Sequence, residues 1–139
     1  MSCKLKITLN MKRLLFAFTL ILLIASYASA QQNEAVFAVV DESTYDFKTI
    51  KEADGDATHT FKIKNDGNAP LVISRVTTSC GCTTWEYLKE PVAPGETLDF
   101  KVIYNTTNRV GPFTRTIQVF SNGYAGSYIL TIKGTVEGK

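Results

Sequence analysis

Apolar and polar residues alternate along most of this chain. In residues 58–65, His59, Phe61 and Ile63 share one face, while Lys62 and Lys64 share the other. Leu98, Phe100, Val102 and Tyr104 repeat at the same spacing, as do Phe113, Arg115, Ile117 and Val119, and then Tyr128, Leu130 and Ile132. A period of two sends successive side chains to opposite faces of a strand. Residues 36–40 are rich in β-formers, residues 44–50 carry Tyr45 and Phe47 at period two, and residues 71–78 carry Leu71 and Ile73 on one side. Residues 79–94 are the least regular stretch and are expected to form a loop holding Trp85 and Tyr87.

Turn signals separate these segments. They are Asp54-Gly55-Asp56, Asp66-Gly67-Asn68, Ala93-Pro94-Gly95-Glu96, the polar residues 105–111, and Ser121-Asn122-Gly123. Asp66-Gly67-Asn68 is expected to reverse the chain because its residue types tolerate positive φ. About seven strands with one apolar face each predict an all-β, immunoglobulin-like β-sandwich. Period two alone does not separate a sandwich from a Greek-key barrel. The expected core is Phe61, Ile63, Leu71, Ile73, Leu98, Phe100, Val102, Ile117, Val119, Leu130 and Ile132.

The first thirty residues follow another pattern. Lys4, Lys6, Lys12 and Arg13 precede an apolar run over residues 14–24, and Ala28-Ser29-Ala30 follows as a small-x-small site. That order predicts a helical signal peptide, residues 1–30, cleaved after Ala30. The run is shorter than the roughly 20 apolar residues of a membrane span. Translation starts at Met1 or Met11. The expected product is one domain, residues 31–139, exported to the periplasm or the cell exterior with no membrane span after processing.

Charge changes the picture once the leader is set aside. The whole chain has 15 basic and 13 acidic residues, a formal net of +2. The four leader cations leave 11 basic against 13 acidic residues, a net of −2. Nothing in the domain forms a basic stripe, so a nucleic-acid partner is not expected. Cys3 departs with the leader, which leaves Cys80 and Cys82 in a compartment that permits disulfides. An antibody-type domain needs two distant cysteines to bridge its sheets, and this pair cannot do that.

Several segments together resemble a family. Residues 61–71, Phe-Lys-Ile-Lys-Asn-Asp-Gly-Asn-Ala-Pro-Leu, look like a segment of immunoglobulin-like modules of the ASPM, SPD-2 and hydin type. Ser79-Cys80-Gly81-Cys82-Thr83, Pro94-Gly95-Glu96, Gly111-Pro112-Phe113 and Ile117-Gln118-Val119-Phe120-Ser121-Asn122 resemble the secreted bacterial family called domain of unknown function 1573. The likeness covers roughly residues 44–136. It implies an immunoglobulin-like sandwich and export, and no established activity. One departure is Lys48, where such sequences carry Gly after Phe47.

The one chemically suggestive cluster is Cys80-Gly81-Cys82. The thiols could close a disulfide across one residue, with Gly81 letting the backbone bend. Such a small ring would be readily reduced, which opens a thiol-redox role. The thiolates could instead bind copper or zinc, although two sulfurs are an incomplete tetrahedral set. A purely structural pair is the third reading and the preferred one. His59, the only histidine, is expected to be a half-buried strand residue; as a ligand it would have to approach Cys80 across the sandwich. Trp85 and Tyr87 either anchor the core edge or form a contact surface.

Other chemistry finds little footing. A Ser-His-Asp arrangement lacks a motif around His59. Glu86 and Glu90, and Asp54 and Asp56, stand in polar stretches where solvated charge is normal. Asn105-Thr106-Thr107 fits a glycosylation acceptor, a match that often arises by chance. The expectation is therefore a non-catalytic binding or structural module with no cofactor, whose partner is an unidentified protein or cell-envelope component. Metal handling through Cys80 and Cys82 is the alternative, and thiol redox chemistry the second.

Overall fold

The computed structural model describes residue 15 and residues 32–139. Apart from residue 15, the expected leader lies outside the described residues, as does its cleavage site. The account below concerns the unit formed by residues 33–139.

Eight strands build this unit: β1 (Phe37–Val39), β2 (Thr44–Lys51), β3 (Ala57–Asn65), β4 (Ile73–Thr78), β5 (Thr83–Glu86), β6 (Thr97–Tyr104), β7 (Gly111–Ser121) and β8 (Ser127–Glu137). A single 3-10 turn, Glu52–Asp54, joins β2 to β3. One sheet has the order β1-β3-β6-β5 and the other β2-β8-β7-β4. This is the strand order of an immunoglobulin-like sandwich whose first strand is split between the two sheets. All pairings are antiparallel except β2 with β8, which is parallel.

The core lies between the sheets, where the period-two positions put it. Phe61, Ile63, Leu98, Phe100 and Val102 face inward from the first sheet, and Ile117, Val119, Leu130 and Ile132 from the second, all buried. Burying each such side chain contributes about 1.5–3 kcal/mol. Leu71 is fully buried although it precedes β4, because it bridges to Val92. Ile73 is only half-buried. It sits on an edge strand beside an irregularity between Ile73 and Arg75, which turns it partly out of the core.

Two local expectations change. Residues 83–86, read as loop, form β5 and pair with β6, Trp85 opposite Val102. Asp66, Gly67 and Asn68 adopt no positive φ. Gly67 is needed for closeness instead: a Cβ there would lie 2.1 Å from the Glu34 carbonyl oxygen. Lys48 does take the left-handed conformation, φ 58, at the bulge between Asp46 and Thr49. The resemblance implies Gly at this place, and Gly would meet no Cβ penalty there.

Candidate functional site

The cysteines sit where β4 stops and β5 begins, at one end of the sandwich. Ser79 fastens the end of β4 to β7: its N–H donates to the Thr116 carbonyl at 3.0 Å, and its Oγ accepts the Thr116 N–H at 3.1 Å. The Thr78 hydroxyl donates to the Cys80 carbonyl at 2.9 Å. The N–H of Thr83 then returns to the same Cys80 carbonyl at 3.1 Å, closing a tight turn around Gly81. Asn105 N–H donates to the Cys82 carbonyl at 2.9 Å and ties this turn to the end of β6.

Within the turn, Cys80 and Cys82 are joined by a disulfide with their Cα atoms 5.2 Å apart. Gly81 was expected to supply the bend. It takes no left-handed angle, and a Cβ there would meet nothing within 4 Å. The turn is held by the hydrogen bonds around it. The two sulfurs differ in setting: Cys82 is buried at 4% exposure, and Cys80 is half-buried at the core's margin.

Arg115 is the residue beside the cysteines that pattern reading left aside. Its Nε donates to Cys82 Sγ at 3.4 Å. Its other partners are the Thr114 carbonyl, at 2.9 Å from Nη1, and the Tyr104 ring, 5.9 Å away and stacked on Phe113. Arg115 makes no ion pair among the described residues. The signal was present in the sequence: a cation on the inward face shared by Phe113, Ile117 and Val119.

His59 is held elsewhere. Its ring stacks on Tyr45 at 3.6 Å and meets the edge of Phe61 at 4.6 Å. Burial pushes its pKa below the ordinary 6.5, opposed in part by Asp41. No three His, Cys, Asp or Glu side chains come together as a metal set among the described residues. A disulfide also presents no thiolate to a metal. Glu86 pairs with Lys101 at 3.0 Å on β5 and β6. Asn105 is occupied by its own turn, accepting from Thr107 N–H and Arg109.

Trp85 and Tyr87 both pack against the core, Tyr87 stacking on Phe100 at 5.3 Å. They also line a shallow groove of about 470 Å³ on the β5 flank, with Thr84, Glu86 and Lys89. A second depression, lined by Val72, Ile73, Tyr87, Pro91 and Leu98 among others, continues it toward β4. Leu88, at 63% exposure, lines a third depression, which shares Glu90, Pro91 and Leu98 with the second. A separate cleft of about 410 Å³ lies at the β2 bulge between Asp46, Lys48 and Lys133. There the Lys48 N–H, 2.8 Å from Asp46, and the nearby lysine cations hold the Asp46 carboxyl below its ordinary range.

With this geometry in place, the chain can be compared with known proteins. A family model described as protein of unknown function (DUF1573) matches residues 38–136. The chain belongs to the DUF1573 family. No curated protein matches it. Among solved structures, a protein of unknown function from Porphyromonas gingivalis is similar at TM-score 0.65 and 18% identity, over 78% of this chain and 50% of that one. The PapD-like domain 7 of human CEP192 is similar at TM-score 0.62 and 5% identity, over 81% of this chain and 92% of that one. Vibrio cholerae VesB protease is similar at TM-score 0.56 and 13% identity, over 81% of this chain and 34% of that one. The chain thus spans half the length of the P. gingivalis protein and a third of the protease. These likenesses establish for this DUF1573 member a sandwich shared by unrelated proteins, and a shared fold does not carry function with it.

Proposed function

We propose that this domain is an exported binding module that takes an extended segment of a partner protein along its β5 flank, a role that needs no catalytic group. The observation that carries the reading is the groove lined by Trp85 and Tyr87, continued by two adjoining depressions, the last of which exposed Leu88 lines. β5 has a hydrogen-bonded neighbour on one side only, since it ends its sheet. An open strand edge satisfies its backbone groups best with another strand, and the adjoining apolar side chains supply specificity. An extended peptide is therefore the occupant that fits both features. Export to the periplasm or cell exterior is supported by the leader pattern and by a closely spaced cysteine pair in disulfide form. Among the described residues no helix is long and apolar enough to cross a membrane.

Metal handling is less favoured, because it requires the reduced pair and a further ligand. The binding reading is tested by placing a photo-crosslinking residue at Leu88 in the native host, with Tyr124, exposed at 79%, as control. The expected result is one discrete crosslinked partner from Leu88 and none from Tyr124. A synthetic segment of that partner should then bind the purified chain and lose binding to Leu88→Asp. Equal crosslinking at both positions, or none at Leu88, would overturn the reading.

A further inference from the structure

The pairing of a disulfide sulfur with a cation that has no carboxylate partner among the described residues asks for a chemical explanation. A neutral disulfide sulfur is a weak acceptor and gains little from a guanidinium. A thiolate at the same place gains much more, because a nearby cation favours the charged sulfur. The Arg115 Nε–H already points at Cys82 Sγ from 3.4 Å, and the Thr83 hydroxyl lies 3.8 Å from the same atom. The surroundings of Cys82 therefore suit the product of bond cleavage better than the intact bond. The ring itself spans a single residue. Closing so short a loop removes little chain entropy, so stapling the fold does not account for it.

We propose that Cys80–Cys82 is a thiol–disulfide exchange site, in which Cys80 accepts an incoming protein or small-molecule thiolate and Cys82 leaves as a thiolate held by Arg115. The incoming sulfur's electron pair forms a new S–S bond to Cys80 Sγ. The Cys80–Cys82 bond breaks, and its electron pair goes to Cys82 Sγ. A second thiolate, from the same dithiol or from a second monothiol such as glutathione, then attacks the substrate sulfur of the mixed disulfide, forms the substrate disulfide and releases Cys80. Two electrons have passed from the two substrate thiolates to the pair, and solvent supplies the proton that Cys80 takes up.

The direction of attack follows from position. Cys80 is half-buried at the margin of the turn, whereas Cys82 is enclosed by the core and by Arg115. Cys80 Sγ accepts the neutral Cys82 N–H at 3.1 Å, whereas Cys82 Sγ faces the Arg115 cation. Substitution at sulfur needs access to the attacked atom and a stabilised leaving group, so the cation makes Cys82 the better leaving group and position makes Cys80 the more accessible target. Arg115 is in direct contact with the leaving sulfur and is a catalytic residue of this step. The site is independent of the β5 binding reading, and either can fail without the other.

The experiment uses the full chain, purified without reductant. It is incubated in glutathione buffers of graded ratio and trapped by alkylation. Oxidised and reduced forms should interconvert within the glutathione range, and the transient mixed disulfide should map to Cys80. Arg115→Gln should slow reduction by glutathione about tenfold, since the leaving sulfur becomes more basic. It should also raise the pH at which Cys82 of the reduced protein alkylates, while Arg115→Lys restores most of both effects. A pair that stays closed throughout the glutathione range, a mixed disulfide on Cys82, or an Arg115→Gln rate and pH profile equal to wild type would each overturn the proposal. The mapping uses the wild-type chain alone, so it decides the matter even where Arg115→Gln fails to fold.

Discussion

The side-chain amide of Asn65 donates to the carbonyl of Val92 at 2.8 Å, so the end of β3 holds the connection that leads into β6. The same Nδ2 reaches the Ala69 carbonyl at 2.7 Å, and Oδ1 accepts the N–H groups of Gly67 and Val36 at 3.0 and 3.3 Å. Asn65 is fully buried, and through these bonds it joins the chain entering β1, the 66–69 turn and the base of the β5–β6 connection.

Asn65→Ala leaves several of those backbone groups without partners in a dry site. Each buried unsatisfied group costs about 1–3 kcal/mol, and the effects do not simply add. A loss of roughly 3–5 kcal/mol is expected, read as a lower urea midpoint at unchanged slope. A loss under about 1 kcal/mol would mean that water replaces the amide.

Two glycines should behave in opposite ways. Gly67→Ala places a methyl group against the backbone of residues 34–36, which must move, so a destabilisation above roughly 2 kcal/mol is expected. Gly81→Ala meets open space at an ordinary backbone angle, so its unfolding midpoint should match wild type and its disulfide should still form. Thermal unfolding and a thiol count on the two variants check both outcomes.

Lys48→Gly should stabilise the domain by about 0.5–1 kcal/mol. The substitution removes the left-handed penalty at φ 58, partly offset by the greater freedom of Gly in the unfolded chain. The ion pair it deletes, Lys48 with Asp46 at 3.2 Å, is exposed and contributes little. Equal or lower stability of the glycine variant would show that the Asp46 contacts hold this bulge.

Stability should fall in mild acid because of His59. Its folded pKa lies below 6.5, so between that lower value and 6.5 the unfolded chain binds the proton more readily. The contribution of the neutral ring is complete above about pH 6.5 and declines as pH falls through the folded value. Urea midpoints measured from pH 7.5 to 5 should therefore drop, and the drop should shrink in His59→Phe. A His59→Phe profile as steep as wild type would place the effect on the carboxylates instead.

The sandwich was legible because its inner faces repeat at period two in Phe61–Ile63, Leu98–Val102, Ile117–Val119 and Leu130–Ile132, and burial enforces that register. β5 was not, because Thr83-Thr84-Trp85-Glu86 shows too few periods to stand out and draws its support from β6, a distant segment. Gly67 was recognised as special for the wrong reason: a turn motif signals positive φ, while the close approach of residues 34–36 is a non-local fact. At the cysteines, the pair and its place after residue 78 could be read from the chain. Its contact with Arg115 could not, since that requires knowing how β7 packs over the β4–β5 turn. Only the presence of a cation on an apolar face hinted at it.

The parallel pairing of β2 with β8 joins residue 44 to residue 131. Until the segment 127–137 has been synthesised, β2 lacks its sheet neighbour, and β7 shows a bare edge where β8 belongs. Assembly cannot proceed hairpin by hairpin from the front. Contacts this distant in sequence slow folding, and an uncovered β7 is an invitation to mispair with other chains. The last strand described thus acts as a kinetic lock, and any factor that shields the nascent chain must hold it until that strand arrives.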